Sequence, residues 1–384
     1  MITSGINFKN FNIVKKSNLV KKKLKLLLKE NNAVIQSLQK NYRDSFNFKD
    51  IKKYKNFSNF RIIGMGGSSL GTQALYDFLK SKIKKNFFFF NNLQSKINLN
   101  KNKKHLNLVV SKSGNTIETI LNSNIYIQKQ DKNIFITDNK KNYLNILANK
   151  LKSDIIHHNN FIGGRYSVLS EVGMLPAELM GLNSKNFRQL NNLVKNKRYM
   201  NALILNVSSI IYHLRKKKFN SIILNYDEQS SNFFTWYQQL VAESLGKKGK
   251  GFLPFISTMP KDNHSMMQFY LDGLKNNFFT FFYVKNKNAI KINSNNILNQ
   301  NRFLKNKSLG DITYAQKIAT ENVFKKKNIP FRSFEIEKRD EKTLGELFCF
   351  FILETILLGK IMKINPYNQP SVELIKKETK KILL

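Results

Sequence analysis

Cysteine is all but missing from this chain of 384 residues: Cys349 is the one thiol, so no disulfide framework can form within it, and such usage fits a reducing compartment. It lies in the apolar run "LFCFFIL", where a thiol reads as a buried structural side chain rather than a nucleophile. Histidine is scarce too, with five in all, and none forms a cluster with carboxylates or Cys349 at metal-ligand spacing; no metal site is expected. Long hydrophobic runs are absent. The N-terminus has no apolar stretch of signal-peptide length, and the longest apolar segment, near residues 347–358, is interrupted by Glu354 and too short to span a bilayer. The expected location is the cytoplasm, with no membrane partner. Acidic residues are few, 25 against 65 Lys and Arg, for a net charge of +40. Such a balance ordinarily points to nucleic acid. Here the excess is spread from "KKKLK" (21–25) through "RKKK" (215–218) to "KKETKK" (376–381), with no basic arm, so it reads as a solvated surface and no nucleic-acid partner is expected.

What is present is a rhythm. Short β-branched or aromatic runs alternate with amphipathic stretches: "FRIIG" before "LGTQALYDFLKSKIK", then "FFFF", then "LNLVVSKSG" before "NTIETILNSNIYIQKQ", then "NIFITD". After the helical "NALILNVSSIIYHLRKKK" the pattern restarts with "SIILNY", "NFFTWYQQLVAESLGKK", "NFFTFFYV", "DITYAQKIATENVFKKK", "FRSFEIE" and a long buried helix, "EKTLGELFCFFILETILLGKIM". Repeated strand-helix-strand units predict an α/β fold with parallel sheets, and the length suits two such domains. The expected division is a helical extension over 1–45, a first α/β domain over 46–195 and a second over 196–384 ending in a helix. No Pro- or Gly-rich linker marks the junction.

Two strand-to-helix turns stand out. "GMGGSSLG" (64–71) follows "FRII" and offers backbone N–H groups, a helix start and the hydroxyls of Ser68 and Ser69, which suits a phosphate or, more simply, a capped tight turn. A dinucleotide loop would carry Gly or Ala at position 69 and an acid after the next strand, but the chain has Ser69 and "FFFFNNLQ"; a P-loop would need Gly-Lys-Ser/Thr. "VVSKSGNTIET" (109–119) crowds Ser111, Lys112, Ser113 and Thr116 around Gly114, more donors than capping requires. In an open parallel sheet such loops gather at the carboxyl ends of strands, so both can converge on one compact monophosphate. Downstream, Arg165 follows two glycines, Glu243 stands four residues after Gln239 on a helix, and His264 lies in "DNHSMMQ". Taken alone, each has an ordinary reading: a structural ion pair, a helix-end charge and a surface loop residue.

The segments "GMGGSSLG", "SKSGNTIET", "GGRYSVLSEVGMLP", "QQLVAESLGKKGKG", "DNHSMMQ" and "NPYNQPSVELIKK" occur in the order of the signature segments of the phosphoglucose isomerase family, which this chain resembles from about residue 60 to 378. The resemblance implies two doubly wound, parallel-sheet sugar-isomerase-type domains flanked by helices, and an aldose-ketose isomerase acting on a hexose 6-phosphate without a cofactor. By the same resemblance, phosphate is held by Gly67, Ser68, Ser111, Lys112, Ser113 and Thr116, with Gln369 nearby. Glu243 carries the proton between C1 and C2, with Gln239 beside it. Arg165 stabilises the enediolate, and His264 and Lys376 open the sugar ring. The family's histidine comes from the other subunit, so a homodimer is implied. The chain is shorter than most members, and Asn115, Ile375 and Lys377 depart from the usual pattern. An isomerase also accepting mannose 6-phosphate, and a sugar-phosphate-binding regulator on the same domain, are the other readings.

Overall fold

The computed structural model describes residues 1–11, 16–93, 104–286 and 288–384. Among the described residues ten strands form two five-stranded sheets. The first takes β2 (Asn59–Ile63), β3 (Asn86–Phe90), β4 (Leu106–Val110), β5 (Lys132–Thr137) and β6 (Asp154–His157) in the order β3-β2-β4-β5-β6, all parallel. The second takes β1 (Ile6–Lys9), β7 (Asn220–Asn225), β8 (Leu253–Thr258), β9 (Asn277–Val284) and β10 (Phe331–Ile336) in the order β1-β10-β9-β7-β8. The two-sheet α/β architecture read from the sequence is therefore present, with one departure: β1 runs antiparallel to β10, Ile6 opposite Ile336. Residues 6–9 are thus a strand of the second sheet rather than part of a helical extension. Within 1–45 helix is confined to Asn18–Leu27 and Ala33–Ser37, and residues 12–15 lie outside the described residues.

Why these runs become strands follows from burial. β4 and β9 are buried at every position, as expected of central parallel strands covered on both faces, and their sequences, "LNLVV" and "NFFTFFYV", are correspondingly near-continuous apolar runs. The helix Glu341–Ile361 is buried from Thr343 to Gly359, which explains an apolar composition all round instead of along one stripe. Cys349 sits on it fully buried, and burial pushes its thiol up to about 12, so it is a packing group. Glu354 on the same helix is also fully buried. It is compensated by an ion pair with Arg332 and by the hydroxyl of Tyr237, which donates to Oε1 at 2.7 Å, while Asn206 donates to Oε2. One core cluster runs through both sheets, joining Phe60 and Leu108 to Phe282 and Phe334. Among the described residues no helix is long and apolar enough to cross a membrane.

The helices Leu70–Phe78, which follows β2, and Ser231–Leu245, which follows β7, pack on each other between the two sheets. Asn232 donates to Asp77 across that contact. This junction brings the turn after β2 against the end of the helix Ser231–Leu245.

Candidate active site

In the first sheet the order places β2 and β4 side by side, with their following helices on opposite faces. This is the switch point at which an open parallel sheet leaves a crevice beyond its carboxyl ends. The loops Gly64–Ser69 and Ser111–Thr116 flank it. Gly66 has φ +54°, and a Cβ there would stand 2.7 Å from Gln239 Nε2; a Cβ on Gly67 would fall 2.2 Å from the carbonyl carbon of Gly164. Both glycines are needed for the loop to lie flat against the helix carrying Glu243 and the turn carrying Arg165. In the second loop Ser111 Oγ and Thr116 Oγ1 are 3.0 Å apart, and Ser113 Oγ accepts from the Asn115 N–H at 3.3 Å. Asn115 faces away: its Oδ1 accepts from Tyr143 N at 3.0 Å.

Lys112 does something its motif does not reveal. Its ammonium donates to the carbonyls of Asn160 (2.6 Å) and Ile162 (3.0 Å), and burial lowers it below the usual lysine range. Those carbonyls belong to the stretch leading from β6 to Arg165. The same Ile162 carbonyl meets Nε2 of the buried His158 at 3.0 Å, while Nδ1 meets Glu171 Oε1 at 2.6 Å. Burial, the largest influence, would raise the Glu171 carboxyl, but the hydrogen bond and charge of His158 together with the backbone N–H groups of Asn159 and Glu171 outweigh it and hold it below its ordinary value. The sequence alone does not point to His158 and Glu171, because a histidine and a glutamate 13 residues apart carry no spacing signal.

This support leads to Gly164–Leu169, one short 3₁₀ turn in which Arg165 is only 1% exposed. All three of its nitrogens are engaged. Nε donates to Ser244 Oγ (2.8 Å); Nη1 to Gln369 Oε1 (2.7 Å) and Glu243 Oε2 (3.1 Å); Nη2 to the carbonyls of Pro366 (2.7 Å) and Asn368 (3.2 Å). Trp236 Nε1–H fixes the backbone by donating to the Arg165 carbonyl at 3.0 Å. Gln239 and Glu243 are one helical turn apart, and Gln239 Nε2 donates to Glu243 Oε1 at 2.8 Å. The Glu243 carboxylate is therefore held at one oxygen by an amide and at the other by a guanidinium, with its side chain 29% exposed on the open side. A half-open carboxylate with a fixed cation beside it can exchange a proton with a bound molecule and stabilise an oxyanion formed there.

Four of the expected residues, Arg165, Gln239, Glu243 and Gln369, thus form one cluster, with Gly67 packed against it. Two others stand elsewhere. His264, at the end of the turn Lys261–His264, is exposed and makes no hydrogen bond or ion pair among the described residues. Lys376 is on Val372–Leu383, a helix with no buried residue; its ammonium pairs with Glu373 at 2.7 Å and its side chain is 53% exposed. Lys247 was not anticipated. It lies just beyond the end of the Glu243 helix, and its ammonium is lowered to about 8 by burial and by the neighbouring Arg165.

The model of the family described as phosphoglucose isomerase matches residues 28–384. The chain belongs to that family. Among its relatives, the glucose-6-phosphate isomerase of Methanocaldococcus jannaschii is 31% identical, with 88% of each chain covered. A solved structure of a hypothetical protein from Thermus thermophilus has a TM-score of 0.81 at 22% identity, covering 95% of this chain and 94% of that one. The glucose-6-phosphate isomerase structure from Chlamydia trachomatis has a TM-score of 0.76 at 16% identity, covering 99% and 89%. At these identities the two structures speak for the fold, and the family match covers the whole of the candidate site.

Proposed function

We propose that this protein interconverts glucose 6-phosphate and fructose 6-phosphate through a cis-enediolate, serving glycolysis and gluconeogenesis in the cytoplasm. The observation that carries the reading is the Glu243 carboxylate, held between Gln239 and Arg165 beside the two hydroxyl-rich loops. Aldose-ketose isomerisation needs one base that removes a proton from C2 and returns it to C1, and a single carboxylate reached from one face serves both half-reactions. Charge builds on the enediolate oxygens between them. Arg165, its five N–H groups already engaged, meets that charge as a fixed cation beside Glu243, through its field and not through a new hydrogen bond, which favours the transition state over the substrate. Gly67, Ser68, Ser111, Ser113 and Thr116 take the remote phosphate and so hold C1 and C2 against Glu243. Lys112 contributes its backbone there while its ammonium secures the arginine stretch.

Ring opening needs a second acid-base pair. His264 and Lys376 fill that role in a homodimer, with His264 reaching the neighbouring subunit's site; its exposure in the single chain supports this reading. The decisive experiment incubates the purified protein with fructose 6-phosphate in heavy water and follows products by proton NMR, with mannose 6-phosphate in a parallel tube. Glucose 6-phosphate carrying deuterium at C2, with mannose 6-phosphate inert, is expected. Turnover of both sugars would make the enzyme dual-specific. Protection of the protein against heat by both sugars without turnover would leave a sugar-phosphate binder and remove the catalytic assignment.

A further inference from the structure

Arg165 takes three of its five acceptors, Pro366 O, Asn368 O and Gln369 Oε1, from one turn, Asn365–Gln369. The placement of the guanidinium is therefore only as good as the placement of that turn. Its first half is anchored, since Ile364 and Pro366 are buried and the Tyr367 ring lies 5.8 Å from Tyr166. Its second half is not: Asn368 and Gln369 are exposed, and the helix that follows buries nothing. What meets it there is Lys247. The ammonium donates to the carbonyl of Asn365 (2.6 Å), the carbonyl of Asn368 (2.5 Å) and Asn368 Oδ1 (3.1 Å). Lys247 and Arg165 thus share the Asn368 carbonyl, one cation on each side.

We propose that Lys247 is a positioning residue of this site: its ammonium clamps the Asn365–Gln369 turn so that Gln369 and Arg165 stand correctly against Glu243. This rests on the reading that Glu243 and Arg165 act on the substrate. Three charge-assisted bonds on one exposed turn are stronger than their neutral counterparts, and a cation just past a helix C-terminus also meets the negative end of the helix dipole. The charged groups facing Lys247 are Arg165 from the 3₁₀ turn and Glu243 from the helix, with Lys248 and Lys250 on its own hairpin. With its proton held to about pH 8, the clamp weakens just above neutrality and the site loosens with it.

The test compares wild type, Lys247→Met and Lys247→Arg as full chains, reading kcat and KM for fructose 6-phosphate from pH 6 to 10 and backbone hydrogen exchange over residues 362–371. Met is expected to lower kcat by about tenfold or more at pH 7 with little change in KM, the mark of a lost transition-state contact. It should also speed exchange in that segment. Arg, which does not deprotonate in this range, should keep more activity than Met. In both variants the alkaline limb near pH 8 should disappear. Wild-type kcat and wild-type exchange in Lys247→Met would overturn the proposal. So would an alkaline limb left at its wild-type position in either variant, and this second criterion decides the matter if Met does not fold. If the wild type turns over no sugar but exchange still quickens in Lys247→Met, the clamp stands and the reading of the reaction falls.

Discussion

The two sheets share a strand order and differ in what they do with it. β8-β7-β9-β10 repeats β3-β2-β4-β5, so each sheet has a switch point beside the first strand of its unit. In the first sheet that point is flanked by glycines and hydroxyls. In the second it is closed: after β7, Asp227 pairs with Arg339 at 2.6 Å and accepts a hydrogen bond from the Ser230 hydroxyl, leaving an internal ion pair where the first sheet offers donors. The second half contributes instead through the far end of the helix that follows β7, Ser231–Leu245, where Gln239 and Glu243 emerge against the first half's loop. On the proposed function, one topology yields a binding half and a half that supplies the base, and the residues at the strand ends decide which.

That contrast can be broken in order of effect. Glu243→Gln should lower kcat by about 10²- to 10⁴-fold, the range of a lost general base, while inorganic phosphate still protects the protein against heat. A mutant with wild-type turnover would place the base elsewhere. Ser111→Ala combined with Thr116→Ala should do the reverse, raising KM for fructose 6-phosphate about 10- to 100-fold through lost bonds to a charged group, with kcat less affected. Equal losses in kcat and kcat/KM would show that this loop shapes the transition state and does not merely bind. Asp227→Ala, at the closed switch point, should leave both constants within about twofold and cost stability of about 1–3 kcal/mol, read as a lowered Tm. A changed KM there would mean that the second switch point also takes ligand.

Acid should separate the halves as well. His213, packed on Phe278 of the second sheet and on Phe11, is buried with neither ring nitrogen hydrogen-bonded among the described residues, and burial lowers its value from 6.5 to about 4. Between those pH values the unfolded chain holds the proton and the folded chain does not. Stability is therefore fully present above about 6.5 and falls as pH drops towards 4, at up to about 1.4 kcal/mol per pH unit. His213→Leu should flatten that slope in thermal melts, and an unchanged slope would assign it to other groups.

Legibility in the sequence follows position for most strands, with β3 the exception, an edge strand whose "FFFF" run is legible all the same. β2, β4, β5, β7, β9 and β10 each have neighbours on both sides and carry long apolar or aromatic runs. The three that went unread, β1, β6 and β8, are all edge strands: two have four residues, and β8 contains Pro254, which a central strand does not tolerate. The site divides similarly. Arg165, Gln239, Glu243 and Gln369 could be named because they sit in recognisable segments. The hold of Lys112 on the arginine stretch, the His158–Glu171 pair and the grip of Lys247 on residues 365–368 are contacts between chain segments, set by how side chains turn after the fold has formed.

The pairing of Ile6 with Ile336 has a consequence for how the molecule is made. During synthesis the first sheet has all its strands once residue 157 has left the ribosome, and it can close while translation continues. The second sheet includes β1, which precedes every strand of the first sheet, and cannot be completed until β10, the last strand in chain order, emerges. β1 therefore waits with its edge unpaired while the eight strands between it and β10 are made, and a change in β1 acts on the last step of assembly rather than the first.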